Sequence, residues 1–208
     1  MIEQNEKEIG KYFDECAHNG IMESFDSEDE AKIKECLENW NIQPGHYILE
    51  PGCGSGRLTE YLASAVGSEG KVYACDLSCE MIVRAKKRNL PEQVIIYSGS
   101  VNSVSVADNY FDKVICFQVF PHFSDKILAM TEIARVLKPG GDLWINHLLS
   151  REEVNNLHRN ASGVVISHKI LPSDEMHRLL SDTGFRVVEI KDFSRGYRAH
   201  ALKVTPPC

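Results

Sequence analysis

A short apolar run, Tyr47-Ile48-Leu49, stops at Glu50-Pro51-Gly52-Cys53-Gly54-Ser55-Gly56, and Leu58, Tyr61, Leu62, Ala65 and Val66 then recur at helical spacing. No other stretch of the 208 residues restricts the fold as much. Glycine at every second position lets a chain turn sharply out of a strand and into a helix. A residue without Cβ tolerates positive φ and allows the backbone to approach a ligand closely. A strand, a glycine loop and a helix in that order open an α/β sheet whose ligands sit beyond the carboxyl ends of its strands.

The alternation repeats downstream. Residues 71–75 form a second apolar run, Met81, Ile82 and Ala85 sit on a helix begun by Ser78, and Val94-Ile95-Ile96-Tyr97 supplies a third strand. A fourth strand is expected at 112–117. A helix from about 124 to 138 then turns Ile127, Met130, Ala134 and Leu137 inward, Pro139-Gly140-Gly141 ends it, and 142–147 is the fifth strand. Upstream, Ser27 and Glu30 make a capping box ahead of Ile33, Cys36, Leu37 and Trp40, so a helix precedes the first strand and ends at Pro44-Gly45. Ser150 and Glu153 make a second capping box, for a polar helix running to about residue 160. Met176, Leu179, Leu180 and Thr183 mark a later helix capped by Gly184. The runs 185–190 and 198–204, broken at Ser194-Arg195-Gly196, pair antiparallel.

Strands separated by helices pair in parallel, with helices on both faces. The expected fold is one doubly wound α/β domain, a mostly parallel seven-stranded sheet with an antiparallel last strand. Residues 1–44 form an N-terminal helical segment and 45–208 the sheet domain, with an insertion at about 148–171 over the carboxyl edge of the sheet.

This length suits one domain with one site. No stretch reaches the roughly 18 apolar residues that a membrane helix needs, and charges replace the apolar run of an export signal in the opening Met-Ile-Glu-Gln-Asn-Glu-Lys-Glu. A cytoplasmic protein is therefore expected, with no membrane partner. A formal net charge of −7 opposes a phosphate backbone and excludes nucleic acid as the expected partner. The cysteines at 16, 36, 53, 75, 79, 116 and 208 form no Cys-x-x-Cys pair. They fit reduced thiols better than a disulfide framework or a zinc site.

The chemistry of the glycine loop is narrower than its shape. A dinucleotide fingerprint needs glycine at the first, third and sixth positions, but the sixth is Arg57 counted from Gly52 and Thr59 counted from Gly54. Glu50 ahead of the loop would oppose a pyrophosphate and would suit an ammonium group. Asp76 closes the second strand, where a carboxylate can accept both hydrogens of a ribose diol. Together they fit a nucleoside joined to an amino acid.

These segments resemble the class I S-adenosylmethionine-dependent methyltransferases, and in particular their small-molecule, type 11-like members. Ile48-Leu49-Glu50-Pro51-Gly52-Cys53-Gly54-Ser55-Gly56 is similar to the family's first motif and Cys75-Asp76-Leu77-Ser78 to its second. Ala134-Arg135-Val136-Leu137-Lys138-Pro139-Gly140-Gly141 is similar to the segment entering its fifth strand. The resemblance covers roughly residues 46–147 and implies a Rossmann-like domain, S-adenosyl-L-methionine as cofactor, and an N-terminal lid over the pocket. It places Glu50, Gly52, Cys53, Gly54 and Gly56 at the methionine end, Asp76 at the ribose, and Leu77 and Met81 against the adenine, with Ser100, Val101 and Phe117 completing the cofactor set. The family usually has an aspartate after strand three to bond the adenine amino group. Here Gly99-Ser100-Val101 has serine, and the Val101 amide is left to contribute.

The acceptor side is less explicit. Phe117-Gln118-Val119-Phe120-Pro121-His122-Phe123 lacks the Asn/Asp-Pro-Pro-aromatic sequence of the nucleic-acid amino methylases, again pointing to a small-molecule acceptor. His122 follows strand four, His147 ends strand five, and His158 lies on the insertion, so the three can converge on one mouth. His122 and His147 are the expected catalytic residues, as base or orienting groups, and a metal held by the trio is the minor alternative. Tyr12 and Phe13 supply lid packing or an aromatic wall. Two functions of different class follow: a small-molecule methyltransferase, or a non-catalytic module that binds S-adenosylmethionine. Neither the oligomeric state nor the atom methylated is written in the sequence.

Overall fold

The computed structural model describes residues 2–204, so Cys208 lies outside the described residues. Strands β1 (Tyr47–Pro51), β2 (Lys71–Asp76), β3 (Val94–Ser98), β4 (Phe111–Phe117), β5 (Leu137–His147), β6 (Phe185–Phe193) and β7 (Gly196–Lys203) build a single sheet in the order β3-β2-β1-β4-β5-β7-β6. All pairings from β3 through β5 are parallel, while β7 runs antiparallel to both β5 and β6. The reversal of strand order at β1 and β4 opens a crevice beyond their carboxyl ends.

Helices α1 (Ile2–His18) and α2 (Ser27–Trp40) precede the sheet. α3 (Thr59–Val66), α4 (Cys79–Lys87), α5 (Lys126–Val136), α6 (Arg151–Arg159) and α7 (Ser173–Asp182) follow in turn. Successive residues of the central strands point to opposite faces, so each strand feeds both layers. Ile48 and Ile115 pack with Ile33, Trp40 and Leu62 under α2 and α3. Leu49, Val114 and Cys116 pack with Met130, Ile133 and Leu180 under α5 and α7. No described helix is long and apolar enough to cross a membrane, and the described cysteines are free thiols.

Three local expectations change. Asp26, not Ser27, caps α2: it is extended, and its carboxylate accepts from the Asp29 amide at 2.8 Å, which makes Ser27 the first helical residue. In α5 the buried face is Ala129, Met130, Ile133 and Val136, and Ile127 is 66% exposed. Apolar residues occupy two faces of that segment, so periodicity alone selects neither. Asp125 marks the helix start, accepting from the Leu128 amide at 2.9 Å, and packing of Ala129, Met130, Ile133 and Val136 into the core selects the face. Finally, β5 starts at Leu137 rather than Asp142. Leu137 pairs with Phe111 before a register shift, and Pro139-Gly140-Gly141 bulges out instead of ending the pairing.

Candidate active site

The glycine loop is fixed mainly by backbone. The Gly52 and Cys53 amides both donate to the Cys75 carbonyl, at 2.7 and 3.0 Å, tying the end of β1 to the end of β2. Gly52 has φ +69, and a Cβ there would overlap the Val119 side chain, so both conformation and space demand glycine. Asp76 bridges the loop to α4, one carboxylate oxygen accepting from the Gly54 amide at 2.9 Å and the other from the Ser78 amide at 2.8 Å. Burial raises the Asp76 pKa and its two amide donors lower it, with burial the larger effect.

α1 spans the loops that follow β2, β3 and β4. Asp14 accepts from the Ser78 hydroxyl at 2.6 Å and the Glu80 amide at 3.0 Å, at the start of α4. Gly10 lies so near the Leu77 carbonyl that a Cβ would sit 2.9 Å from its oxygen. Glu6 accepts from Ser100, Asn102 and Ser124, at 2.5, 2.7 and 3.2 Å. Between α1 and these loops lies a cavity walled by Glu6, Ile9 and Phe13 of α1 and by residues of the glycine loop and of the loops after β2, β3 and β4.

Of the residues singled out from sequence, Gly52, Gly54, Asp76, Leu77, Met81, Ser100, Val101 and His122 line this cavity. Others stand off its wall. Glu50 is buried behind the loop, where its carboxylate accepts from the Thr59 hydroxyl at 2.7 Å. Burial pushes its pKa up to about 8, against the lowering effect of Thr59. The Cys53 thiol packs with Ala74 and Ile82. Gly56 lies against Ala85 of α4. Phe117 faces the opposite layer, edge-on to Phe25 and Trp40 with ring centroids 6.0 and 6.1 Å away.

A second chamber adjoins the first, and Phe13, Met22, Gln118 and His122 belong to the walls of both. Tyr12, His147, Leu149, Val154, His158 and Val165 enclose the rest of it, drawn from α1, the end of β5, and the insertion. Met22 and Gln118, on the shared wall, have φ of +65 and +55, a region that side-chain-bearing residues seldom occupy. Such strain concentrates where function fixes a backbone. Gln118 is braced by Arg57, whose guanidinium donates to the Gln118 side chain at 2.9 Å and lies 4.0 Å over the Phe25 ring.

The histidines do gather, with one more than expected. His122 Nδ1 and His168 Nδ1 are 2.8 Å apart, and His158 Nδ1 lies 2.8 Å from the His168 carbonyl. The His122 ring is edge-on to Phe13 at 4.9 Å and to His158 at 4.8 Å. His147 is buried, and its Nε2 has no hydrogen-bond partner. Burial lowers the pKa of every member: His122 well below the usual imidazole value, His147 to about 3 and His168 to about 4. The cluster is neutral at pH 7. Among the described residues no group of His, Cys, Asp and Glu is arranged to hold a metal ion. Sequence reasoning missed Glu6, Asn102, Gln118 and His168.

The methyltransferase domain model matches residues 49–145. The chain is 25% identical over 232 residues to methyltransferase GfsG of Streptomyces halstedii, covering 99% of this chain and 82% of that one. It is 32% identical over 154 residues to the ubiquinone/menaquinone biosynthesis C-methyltransferase UbiE of Hydrogenovibrio crunogenus, covering 69% of this chain. It spans less than two thirds of some curated relatives, 59% in the case of UbiE. The crystal structure of a SAM-dependent methyltransferase from Aquifex aeolicus superposes with a TM-score of 0.68 at 26% identity, covering 82% of this chain and 89% of that one.

Proposed function

We propose that this chain, which belongs to the class I S-adenosylmethionine-dependent methyltransferases, methylates a small organic molecule held in the histidine-lined chamber. One observation carries the reading. Among the described residues the glycine-loop cavity is lined by the carboxylates of Glu6 and Asp76 and by no lysine or arginine, and it shares a wall with a second chamber. Carboxylates without cations disfavour a pyrophosphate and favour a ligand bearing ammonium and sulfonium charge. Gly54 fits such a ligand too, since a Cβ there would meet nothing within 4 Å.

S-adenosylmethionine supplies a methyl group already activated on sulfur. The protein has to hold the donor, align an acceptor in line with the methyl group, and keep water out. Gly52 and Gly54 give backbone that lies close to the methionine portion, with the buried carboxyl of Glu50 behind it. Asp76 accepts from the ribose hydroxyls while keeping its two amide bonds. Leu77, Met81 and Val101 cover the adenine faces, and Ser100 lies at its edge. The roles for Cys53, Gly56 and Phe117 are indirect, since they pack behind the wall. Residues 1–44 act as a lid over both spaces, and residues 45–208, including the insertion at about 148–171, form the transferase domain.

His122 and His147 face the acceptor. Being neutral, they accept a hydrogen bond from a hydroxyl, thiol or amine of the acceptor, and the proton released as the methyl group arrives passes through the ring towards solvent instead of resting there as a stable imidazolium. Phe13 and Tyr12 wall an apolar acceptor. The reading makes the protein a cytoplasmic enzyme of small molecules.

The test is formation of S-adenosylhomocysteine from methyl-labelled donor, with and without fractionated small-molecule extract. Label transferred to an extractable small molecule supports the reading. Donor binding with no transfer to any fraction would instead leave a non-catalytic module.

A further inference from the structure

We propose that Glu6, on the N-terminal helix, recognises the exocyclic amino group of the cofactor's adenine, so that α1 closes in response to the base. The inference rests on the assignment of the first cavity to S-adenosylmethionine.

Glu6 lies on the face of α1 that carries Ile9, Gly10 and Phe13, and Glu6, Ile9 and Phe13 border the cavity. Oε1 of Glu6 receives all three hydrogen bonds from Ser100, Asn102 and Ser124, while Oε2 receives none. The Asn102 amide nitrogen donates to Glu6 and to the Ser124 hydroxyl, at 2.7 and 3.0 Å. The neighbouring carboxylate therefore sets the orientation of that amide, because turning it over would place oxygen against oxygen. The outcome is that Asn102 Oδ1 is buried without a donor.

Asn102 Oδ1, buried without a donor, and the half-buried Glu6 carboxylate thus stand together in the lining of a cavity whose apolar walls include Ile9, Leu77, Met81, Val101 and Phe123. A buried acceptor without a partner is a standing defect that a ligand hydrogen can remove. The complementary ligand has apolar faces and an amino group at its edge. Adenine has that chemistry, and hypoxanthine, which presents an oxygen at the same edge, would set like against like.

The donors that hold Glu6 belong to the loops after β3 and β4, so the same carboxylate joins α1 to the body. An amino group added there strengthens the seam, whereas an oxygen loosens it. Discrimination between bases and closure of the helix become one event.

The experiment is calorimetric binding of S-adenosylhomocysteine and S-inosylhomocysteine to the full chain and to Glu6→Gln, with hydrogen exchange of α1 followed in each complex. The wild-type protein should prefer the adenosyl ligand by about tenfold or more, as expected for one charge-assisted hydrogen bond, and only that ligand should slow exchange in α1. Glu6→Gln should lose most of the preference, chiefly by binding the adenosyl ligand less tightly. Asn102→Ala, which removes the second acceptor and leaves the carboxylate, should keep part of it. Equal weakening of both ligands by Glu6→Gln, or an unchanged preference, would assign Glu6 a structural role only. Failure of the wild-type chain to bind the adenosyl ligand would instead overturn the cofactor assignment itself.

Discussion

The two adjoining spaces share four wall residues and are built in opposite ways. Around the glycine loop itself the polar groups are paired within the protein, Gly52 and Cys53 on the Cys75 carbonyl, Asp76 on two amides and Glu50 on Thr59, and the unpaired Asn102 Oδ1 lies outside the loop, after β3. Around the chamber they are side chains on α1, the end of β5 and the insertion, and the buried His147 Nε2 is left without a partner. A site made of backbone is copied by any sequence that makes the same turn. A site made of side chains changes with each substitution. On the proposed reading the first space holds the cofactor and the second selects the acceptor.

The largest expected effect separates the two. His122→Ala should reduce turnover by about 10²-fold or more, in the range typical for loss of a proton-handling group, while the dissociation constant for S-adenosylhomocysteine stays within twofold to threefold. A parallel fall in donor affinity would place His122 in the cofactor site. Next comes Gly52→Val, which combines a side chain at φ +69 with overlap on Val119 and should weaken S-adenosylhomocysteine by roughly a hundredfold, the equivalent of about 2.7 kcal/mol. Calorimetry measures it, and an unimpaired variant would mean that the loop does not touch the ligand.

Asp76→Ala should cost about 1.5–3 kcal/mol of cofactor binding, or at least tenfold, as charge-assisted bonds typically do. An unaltered dissociation constant would remove Asp76 from the ribose.

The smallest effect concerns Glu50. In the free protein its carboxyl keeps its proton up to about pH 8 because it is buried. An ammonium-bearing ligand favours the carboxylate, so binding below pH 8 should release a proton and affinity should rise with pH until it levels above 8. The unfolded chain loses this proton at the ordinary carboxyl pKa. Glu50 therefore lowers the stability of the free protein progressively between about pH 4.5 and 8. Calorimetry in buffers of different ionisation enthalpy counts the proton, and Glu50→Gln should abolish the release.

The fold was legible because its signals are local and repeated. The succession of strands and their parallel pairing up to β5 follow from alternation, and the Ser78 and Ser150 caps read directly from side-chain type. What failed was phase: two apolar faces in α5 look alike until packing against the sheet and α7 chooses between them. At the site, the motif found Gly52 and Asp76 because the turn and the acid are specified by residue type. It also suggested Phe117, whose strand position directs it to the other layer. Glu6 had a faint signal, a lone acid on the helical stripe of Ile9, Gly10 and Phe13. His168 had none, since the segment around it is irregular and its meeting with His122 spans 46 residues. The carboxylate expected after β3 is absent at Ser100, and the hydroxyl there donates to Glu6 instead.

The contact between His122 and His168 has a logical consequence. Two facing ring nitrogens 2.8 Å apart accommodate one hydrogen between them. With both rings neutral, the ring that gives this hydrogen has a bare outer nitrogen, and the ring that receives it carries N–H on its outer nitrogen. Passing one hydrogen across the contact and one at each outer edge reverses both. His122 thus has two polarities at equal charge, and a residue of the insertion holds its complement: the pair behaves as a reversible plug whose pin and socket exchange places.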